Sequence, residues 1–95
     1  MKIIEICEFS SGICGVWARV FQEAKLLQKL SHKVYVFSSN VEKGTGRRVS
    51  LRELRKGIKI CRFPSRKTYL SRNVHSFNFA HEFKKLEPDL VITHL

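Results

Sequence analysis

The sequence lacks the features of a secreted or membrane-spanning protein. No apolar run approaches the roughly 20 residues that a membrane-spanning helix needs. The start is not a signal peptide, because Glu5 and Glu8 interrupt the stretch that would form its apolar core. Cysteine is limited to three residues, an odd number with no close pair, which argues against a disulfide scaffold and favours reduced thiols. We therefore expect a cytoplasmic protein.

Acidic residues are also scarce. Eight Asp and Glu residues accompany 18 Lys and Arg residues, which gives a formal net charge of +10. The hydrophobic share of 43% and the charged share of 27% are typical of a globular protein and exclude the disordered class. At 95 residues the chain suffices for one small domain and is short for an enzyme with a substrate cleft of its own.

The positive charge is concentrated between residues 43 and 72, where Glu53 is the only acid. This density favours a polyanionic partner, either nucleic acid or an anionic membrane surface. It is equally compatible with a solvent-exposed face that binds nothing, or with a surface that packs against the rest of a larger protein. Only Phe63 and Tyr69 place aromatic rings among these charges, so nucleic acid is the less favoured partner. The residues predicted to bind an anionic surface are Arg47, Arg48, Arg52 and Arg55.

The first part of the chain predicts a strand, a glycine loop, a helix and a second strand. Residues 2–9 form a nearly continuous apolar run of strand length, and residues 10–15 (SSGICG) are turn-forming. Residues 16–30 place apolar side chains on one helical face. Residues 33–39 (KVYVFSS) are β-branched and aromatic, as strands prefer.

The rest of the chain continues the alternation. Ser50 and Glu53 have the spacing of a helix-capping pair, and Asn73 is a suitable helix cap. The predicted elements are a helical turn at 50–54, a third strand at 58–63, a helix from Asn73 to Leu86 and a fourth strand at 89–93. Strands separated by helices imply parallel order. The predicted fold class is α/β, a Rossmann-like parallel sheet in the order 3-2-1-4 with flanking helices.

The loop between the first strand and its helix contains Gly12 and Gly15, the candidate substrate-binding or phosphate-binding residues. Glycines let backbone N–H groups approach a phosphate, and the helix N-terminus adds a favourable dipole. The spacing matches neither the dinucleotide fingerprint nor a P-loop, and no acid ends the second strand. A nicotinamide-binding domain is therefore disfavoured, while a tight turn and a ligand cradle remain equally open.

The remaining candidate is His94, which follows the fourth strand and would lie at the rim where α/β sheets bind ligands. Because the chain stops just after this strand, we expect it to be the N-terminal part of a larger protein. Cys7 and Cys61 lie inside strand patterns and are expected to be packed core thiols. The cysteines and histidines have no metal-ligand spacing, so no metal site is predicted.

Three segments carry a family resemblance. Residues 27–34 (LQKLSHKV) resemble the leu-x-x-x-gly-his-glu-val phrase of family 4 (group 1) glycosyltransferases, with Ser31 in place of glycine and Lys33 in place of glutamate. Residues 58–64 (IKICRFP) and 89–94 (DLVITH) resemble two later strands of that family. The family's glycine pair corresponds here to Cys14 and Gly15. The resemblance covers nearly the whole chain and implies the two-lobed GT-B fold.

The resemblance implies that residues 1–95 are part of the acceptor-side Rossmann-like lobe of a glycosyltransferase, with the C-terminal lobe missing. The partners would be a sugar-nucleotide donor and a saccharide or lipid-linked acceptor, with no further cofactor. Gly15 would bring backbone amides to the donor diphosphate or the acceptor, and His94 would line the cleft as the catalytic candidate. The fragment alone would be inactive.

The residues and the resemblance together are compatible with three functions. The first is the glycosyltransferase lobe, with its basic flank on the inner face of an anionic membrane. The second is a small basic α/β module that binds nucleic acid. The third is a sugar-nucleotide epimerase of the GT-B fold.

Overall fold

The computed structural model describes residues 1–67 and 75–94. Within these residues the chain alternates between strands and helices, as the sequence predicts for an α/β protein. The elements are β1 (Lys2–Ile6), α1 (Gly15–Lys29), β2 (Lys33–Ser39), β3 (Arg52–Arg55), β4 (Ile58–Phe63), β5 (Ser65–Lys67), β6 (His75–Phe77), α2 (Ala80–Leu86) and β7 (Leu90–Thr93).

The main sheet has five strands in the order β3-β4-β2-β1-β7. β1 pairs in parallel with β2 and with β7, and β2 pairs in parallel with β4. β3 pairs with β4 in the antiparallel direction, and β5 with β6 forms a separate antiparallel pair. The α/β class is thus confirmed, but the sheet is mixed, whereas the prediction was a sheet of parallel strands only.

The fifth strand corrects the helical turn predicted at residues 50–54. Residues 52–55 are instead β3, an edge strand joined to β4 by a hairpin. The two turn residues, Lys56 and Gly57, have φ values of 53° and 83°. Positive φ at both positions is what a type I′ turn requires, and its twist matches that of paired strands. The hairpin geometry therefore outweighs the helix-capping pattern of Ser50 and Glu53.

The second helix is shorter than the one predicted from Asn73 to Leu86. The strand β6 occupies residues 75–77, and α2 begins only at Ala80, whose N–H group donates to Asn78 Oδ1 at 3.1 Å. The predicted cap, Asn73, lies outside the described residues. The aromatic side chains of this segment explain the difference, because Phe77, Phe79 and Phe83 all pack against one face of the sheet.

The sheet has an apolar core on each face. On the first face, Trp17, Val20 and Ala24 of α1 pack against the strands. On the second face, Phe37 and Phe63 contact the aromatic side chains that precede and begin α2. Strands covered on both faces need apolar residues at successive positions, which explains the nearly continuous apolar runs of the sequence. In the described part of the chain, no helix has the length and apolar character to cross a membrane.

The predicted helix at 16–30 is observed one residue earlier, as α1 over Gly15–Lys29. The chain leaves the helix through Ser31, whose φ of 72° lies in the left-handed region. Glycine is favoured at such a position because it has no Cβ. Ser31 is also the residue that stands in place of the glycine in the glycosyltransferase phrase.

Candidate functional site

The loop between β1 and α1 lies at the carboxyl ends of the parallel strands. Ser10, in the middle of this loop, is fully buried, and the hydroxyl groups of Ser10 and Ser38 lie 2.5 Å apart. The backbone N–H of Lys43 donates to the carbonyl oxygen of Ser11 at 3.0 Å, so the loop after β2 is attached to this one. The ligand-binding edge of an open α/β sheet is the edge at which these loops meet.

Gly12 is required by the fold itself. Its φ of 89° favours glycine, and a Cβ atom at this position would lie 2.5 Å from the carbonyl oxygen of Lys43. This contact is with backbone, because residues 12 and 43 form a β-bridge. A tight turn therefore accounts for Gly12, whether or not the loop binds a ligand.

Gly15 has a different environment. No atom among the described residues lies within 4 Å of a Cβ built on Gly15, and its backbone is outside the left-handed region. Neither crowding nor backbone strain requires glycine here. The absence of a side chain instead leaves open space beside the first turn of α1. Ile13, two residues earlier in the same loop, is 98% exposed.

The N-terminus of α1 lacks a capping side chain. Cys14 precedes the helix in an extended conformation and makes no side-chain capping hydrogen bond, and the first turn contains no acid. The first backbone N–H groups of a helix have no partner within the helix and carry the positive end of its dipole. This end of α1 can therefore accept an anion at Gly15.

Arg62 is the residue of this site that the sequence analysis missed. It belongs to β4 and is only 3% exposed, yet it makes four hydrogen bonds. Its Nε donates to Ser10 Oγ at 2.8 Å, and its Nη2 donates to the Ser10 carbonyl oxygen at 2.9 Å and to Glu53 Oε1 at 2.7 Å. Its Nη1 donates to the Ser50 carbonyl oxygen at 3.0 Å.

The position of Arg62 in the alternating pattern of β4 is the feature of the sequence that indicates a buried arginine. Ile58 and Ile60 face the core under α1, and Arg62 is the next residue on that face of β4. A charge on an otherwise apolar face is either buried with partners or at a functional edge. The basic stretch as a whole predicts surface charges, and that pattern does not distinguish Arg62 from its neighbours.

A surface cavity of about 540 Å³ lies between the loop after β2 and the start of β3. We call it the arginine cavity, after the charged residues in its wall, which are Glu42, Arg47, Arg48, Arg52, Glu53 and Arg62. Ser11 of the glycine loop is also part of the wall. Cationic side chains outnumber the carboxylates, so the cavity favours an anionic ligand.

Three of the four arginines predicted to bind an anionic surface thus share one cavity, and each has a partner in the protein. Arg47 pairs with Glu42 at 3.2 Å, and Arg52 pairs with Glu82 at 3.2 Å. Arg48 donates to Asn40 Oδ1 at 2.8 Å and also to the Ser65 carbonyl oxygen.

The fourth predicted arginine, Arg55, is not part of the cavity wall. It pairs with Glu53 at 2.7 Å, and its guanidinium lies over the ring of Phe21 in α1, 5.8 Å from the ring centroid. The predicted set is therefore divided between two parts of the surface.

The carboxylates of the cavity are held in their ionised form. The pKa of Glu42 is lowered, chiefly by the hydrogen bond from Thr45. Burial alone would raise the pKa of Glu53, but the hydrogen bonds and positive charges of Arg62 and Arg55 outweigh it and lower the pKa. Both acids consequently stay charged near neutral pH and offset part of the arginine charge.

His94 lies away from the arginine cavity, against the first face of the sheet. Its Nε2 is 3.0 Å from Oε1 of Glu5, and its side chain is 15% exposed. Glu5 is a fully buried charged residue in β1, between the apolar residues Ile4 and Ile6. In this structure Nε2 of His94 therefore contacts a buried carboxylate, and the expectation that His94 lines an interlobe cleft stays a prediction.

Glu5 is electrostatically unusual. Its pKa rises to about 7, chiefly because burial disfavours the ionised form; the hydrogen bond with His94 lowers the pKa, and the nearby charge of Glu23 raises it. Its second oxygen, Oε2, is buried and has no hydrogen-bond partner among the described residues. Little in the sequence indicates this cluster, because its members lie far apart in the chain and meet only in the fold.

The cysteines behave as the strand patterns predict. Cys7 and Cys61 are buried and unpaired with any other cysteine, which confirms the expectation of core thiols. Burial raises the pKa of Cys7 to about 12 and also raises the pKa of Cys61. Because the thiolate is the reactive form, neither residue is a nucleophile near neutral pH.

Comparisons with known proteins identify no relative. A scan against protein-family models, a search of the curated proteins and a search of the solved structures each gave no significant match. The glycosyltransferase resemblance therefore remains a prediction from the sequence motifs.

Proposed function

We propose that this chain is part of the acceptor-side lobe of a sugar-nucleotide-dependent glycosyltransferase of the GT-B fold. In this proposal the parallel strands β4, β2, β1 and β7 are the first strands of a Rossmann-like lobe, in the predicted order 3-2-1-4. The observation that carries the proposal is the uncapped N-terminus of α1, which opens at Gly15 onto free space at the carboxyl edge of the sheet.

The chemistry of sugar transfer suits this arrangement. Departure of the nucleotide diphosphate builds negative charge, which fixed backbone dipoles stabilise without a titrating side chain. The N–H groups of the first turn of α1 are such dipoles, and Arg62 holds the preceding loop in place through Ser10. Gly15 gives the phosphate oxygens access to these N–H groups.

The arginine cavity supplies the second element of the proposal. Ser11 belongs both to the cavity wall and to the loop that leads into α1, so the two anion-attracting features are continuous. Arg47 has a side chain that is 73% exposed and Arg52 one that is 57% exposed, so their charge reaches solvent despite their partners. In the proposal these residues attract the donor or the anionic membrane that carries a lipid-linked acceptor.

His94 has a narrower role in the proposal than the resemblance implies. Since its Nε2 is held by Glu5, any contact with donor or acceptor falls to the exposed edge of the ring. A contact at the exposed edge of the ring would position the substrate. Any proton at Nε2 would be shared with Glu5 and not with the substrate.

The test is transfer from a panel of sugar nucleotides by the complete protein as the cell makes it. Gly15→Val fills the open space at α1 and should reduce turnover strongly. Ala18→Val, one helical turn later on the exposed surface, is the matched control and should keep the wild-type rate. His94→Ala should lower kcat/KM by roughly 10- to 100-fold, the scale of one lost polar contact to a transition state.

Two results would contradict the proposal. The first is transfer at the wild-type rate by a folded Gly15→Val protein, with folding checked by circular dichroism. The second is the absence of transfer from every donor together with tight binding of RNA at physiological salt, which would favour the nucleic-acid module instead.

A further inference from the structure

Three ionisable side chains from three separate elements meet under α1. Glu5 belongs to β1, Glu23 to α1, and His94 directly follows β7. One oxygen of each carboxylate and a ring nitrogen of His94 all lie within 4.8 Å of one another. The parallel pairing of β1 with β7 places the first and last residues of this set side by side, because the backbone N–H of His94 donates to the Ile6 carbonyl oxygen at 2.8 Å.

The second carboxylate oxygen of Glu5, Oε2, lacks a hydrogen-bond partner among the described residues. Glu5 is 0% exposed, and Oε2 has no hydrogen-bond donor in the described chain. Leaving a carboxylate oxygen buried and unpaired costs free energy, because the lost hydration is not compensated by another hydrogen bond. A protonated carboxyl of Glu5 or Glu23 can donate a hydrogen bond to the other, but when both are ionised each is only an acceptor, and a cation then satisfies both.

We propose that Glu5, Glu23 and His94 form a binding site for a divalent transition-metal cation such as Zn²⁺. Imidazole nitrogen and carboxylate oxygen are both ligands of Zn²⁺, whereas Ca²⁺ and Mg²⁺ prefer oxygen ligands only. The two negative charges of the carboxylates balance the cation, so the buried site becomes neutral. Three protein ligands leave a coordination position for water or substrate.

The distances are close to those that a bound cation needs. Ligand atoms at about 2.0 to 2.2 Å from the metal lie at most roughly 4 Å from one another. The separation of 3.0 Å between His94 Nε2 and Glu5 Oε1 already fits this range. The widest separation in the cluster, at most 4.8 Å, closes with a small movement of Glu23, which is only partly buried.

This site shares His94 with the proposed function but does not depend on that function, because Glu5 and Glu23 contact no substrate in it. None of its three residues belongs to the wall of the arginine cavity. A cation here would fix the end of β7 to β1 and α1, and it would expose its open coordination position on the side of Glu23 and His94, which are less buried than Glu5.

Cobalt titration of the reduced, metal-stripped protein tests the proposal. Co²⁺ occupies Zn²⁺ sites and gives visible absorption bands, and cysteine ligation adds a separate thiolate charge-transfer band in the near ultraviolet. We expect one equivalent of Co²⁺ to bind with visible absorption but without the thiolate band, and Zn²⁺ to displace it. Zn²⁺ should also raise the unfolding temperature.

Variants assign the ligands. Glu5→Gln, Glu23→Gln and His94→Gln keep side-chain size and should each weaken binding by about ten-fold or more, because even outer partners of metal sites change affinity by about 10- to 100-fold. His81→Gln and Glu87→Gln alter exposed residues in and after α2 and should leave binding unchanged. Glu23→Gln changes only a partly buried helix residue, so it remains informative if the core variant fails to fold.

Three outcomes would overturn the proposal. One is a thiolate band, which would assign the cation to the cysteines. Another is equal weakening by the control variants, which would indicate adventitious binding at the surface. The third is no visible absorption at millimolar Co²⁺.

Discussion

Arg62 of β4 donates two hydrogen bonds to Ser10, one to the hydroxyl oxygen at 2.8 Å and one to the carbonyl oxygen at 2.9 Å. The two residues are 52 positions apart in the chain, and β2 lies between β4 and β1, the strand that precedes Ser10. A buried guanidinium thus fixes the loop that leads into the N-terminus of α1. The position of the candidate anion site depends on this pair.

Replacing Arg62 with methionine should destabilise the protein. The substitution keeps much of the apolar stem but leaves the Ser10 carbonyl, the Ser50 carbonyl and Glu53 without their donor. A lost hydrogen bond to a charged group, or a buried partner left without its donor, costs about 1 to 3 kcal/mol. We therefore expect a decrease of that order in the free energy of unfolding. Urea unfolding followed by circular dichroism measures it.

Arg55→Met is the matched control, because Arg55 pairs with the same glutamate but is partly exposed. Exposed ion pairs contribute about 0 to 1 kcal/mol, so this variant should be nearly as stable as the wild type. Equal losses in the two variants would mean that Arg62 has no special structural role.

The Glu53 carboxylate should make stability depend on pH. Its pKa is lower in the folded protein than its ordinary value of 4.5, so the folded state binds its proton more weakly than the unfolded state does. The stabilisation is then fully present above about pH 4.5 and is lost as the pH falls through the lowered pKa. Glu53→Gln should be less stable than wild type at pH 7.

The measurement is urea unfolding of both proteins from about pH 7 down to about pH 3, a range that includes the ordinary pKa of 4.5. The difference between them should shrink as the pH falls, because protonated wild-type Glu53 resembles the uncharged glutamine. A difference that is constant across this range would show that the Glu53 charge contributes nothing.

Alanine substitutions should separate the two glycines of the loop. Gly12→Ala forces a positive φ on alanine and places Cβ against the Lys43 carbonyl oxygen, so it should cost at least about 1 kcal/mol. Gly15→Ala meets no atom and reduces the entropy of the unfolded chain, so it should stabilise by about 0.4 to 1 kcal/mol. Thermal unfolding gives both values. Comparable destabilisation by the two changes would refute the distinction.

Anionic vesicles test the membrane hypothesis for the basic surface. Reversing the charge of the four predicted arginines should abolish sedimentation with vesicles rich in phosphatidylserine, since each basic residue near such a surface contributes about 1 kcal/mol before screening. The altered residues are Arg47, Arg48, Arg52 and Arg55. A control reverses the same number of exposed lysines elsewhere, at Lys29, Lys33, Lys84 and Lys85.

The control protein should sediment almost as well as the wild type, because its altered charges lie outside the arginine cavity. Sedimentation that falls equally in both variants would mean that net charge alone drives binding. Sedimentation that is unchanged by the arginine reversal would remove the membrane hypothesis.

The sequence predicted the elements whose patterns are local. Apolar runs indicated β1, β2, β4 and β7, and helical spacing indicated α1 to within one residue at each end. β3 was missed because its edge position is set by the turn at Lys56 and Gly57, whose geometry outweighs a helix-capping pattern. The start of α2 was misplaced because aromatic residues of the preceding segment pack on the sheet instead of extending the helix.

The candidate site was only partly predictable for a related reason. The glycine loop is continuous in sequence, so its position before α1 followed from the pattern. The partners of Arg62, by contrast, come from residues 10, 50 and 53, and the cluster of Glu5, Glu23 and His94 spans almost the whole chain. Such contacts depend on strand order and register, which cannot be read from the local patterns of a single sequence.

The most direct test of the central claim is a nuclear magnetic resonance titration of the ¹⁵N-labelled chain with a panel of sugar nucleotides and with inorganic pyrophosphate. If the N-terminus of α1 binds the donor diphosphate, the backbone amide signals of Cys14, Gly15 and Val16 should shift on addition of ligand. These shifts should disappear in Gly15→Val and persist in Ala18→Val. Amide signals at these positions that stay unchanged with every ligand, or that shift equally in Gly15→Val, would contradict the account.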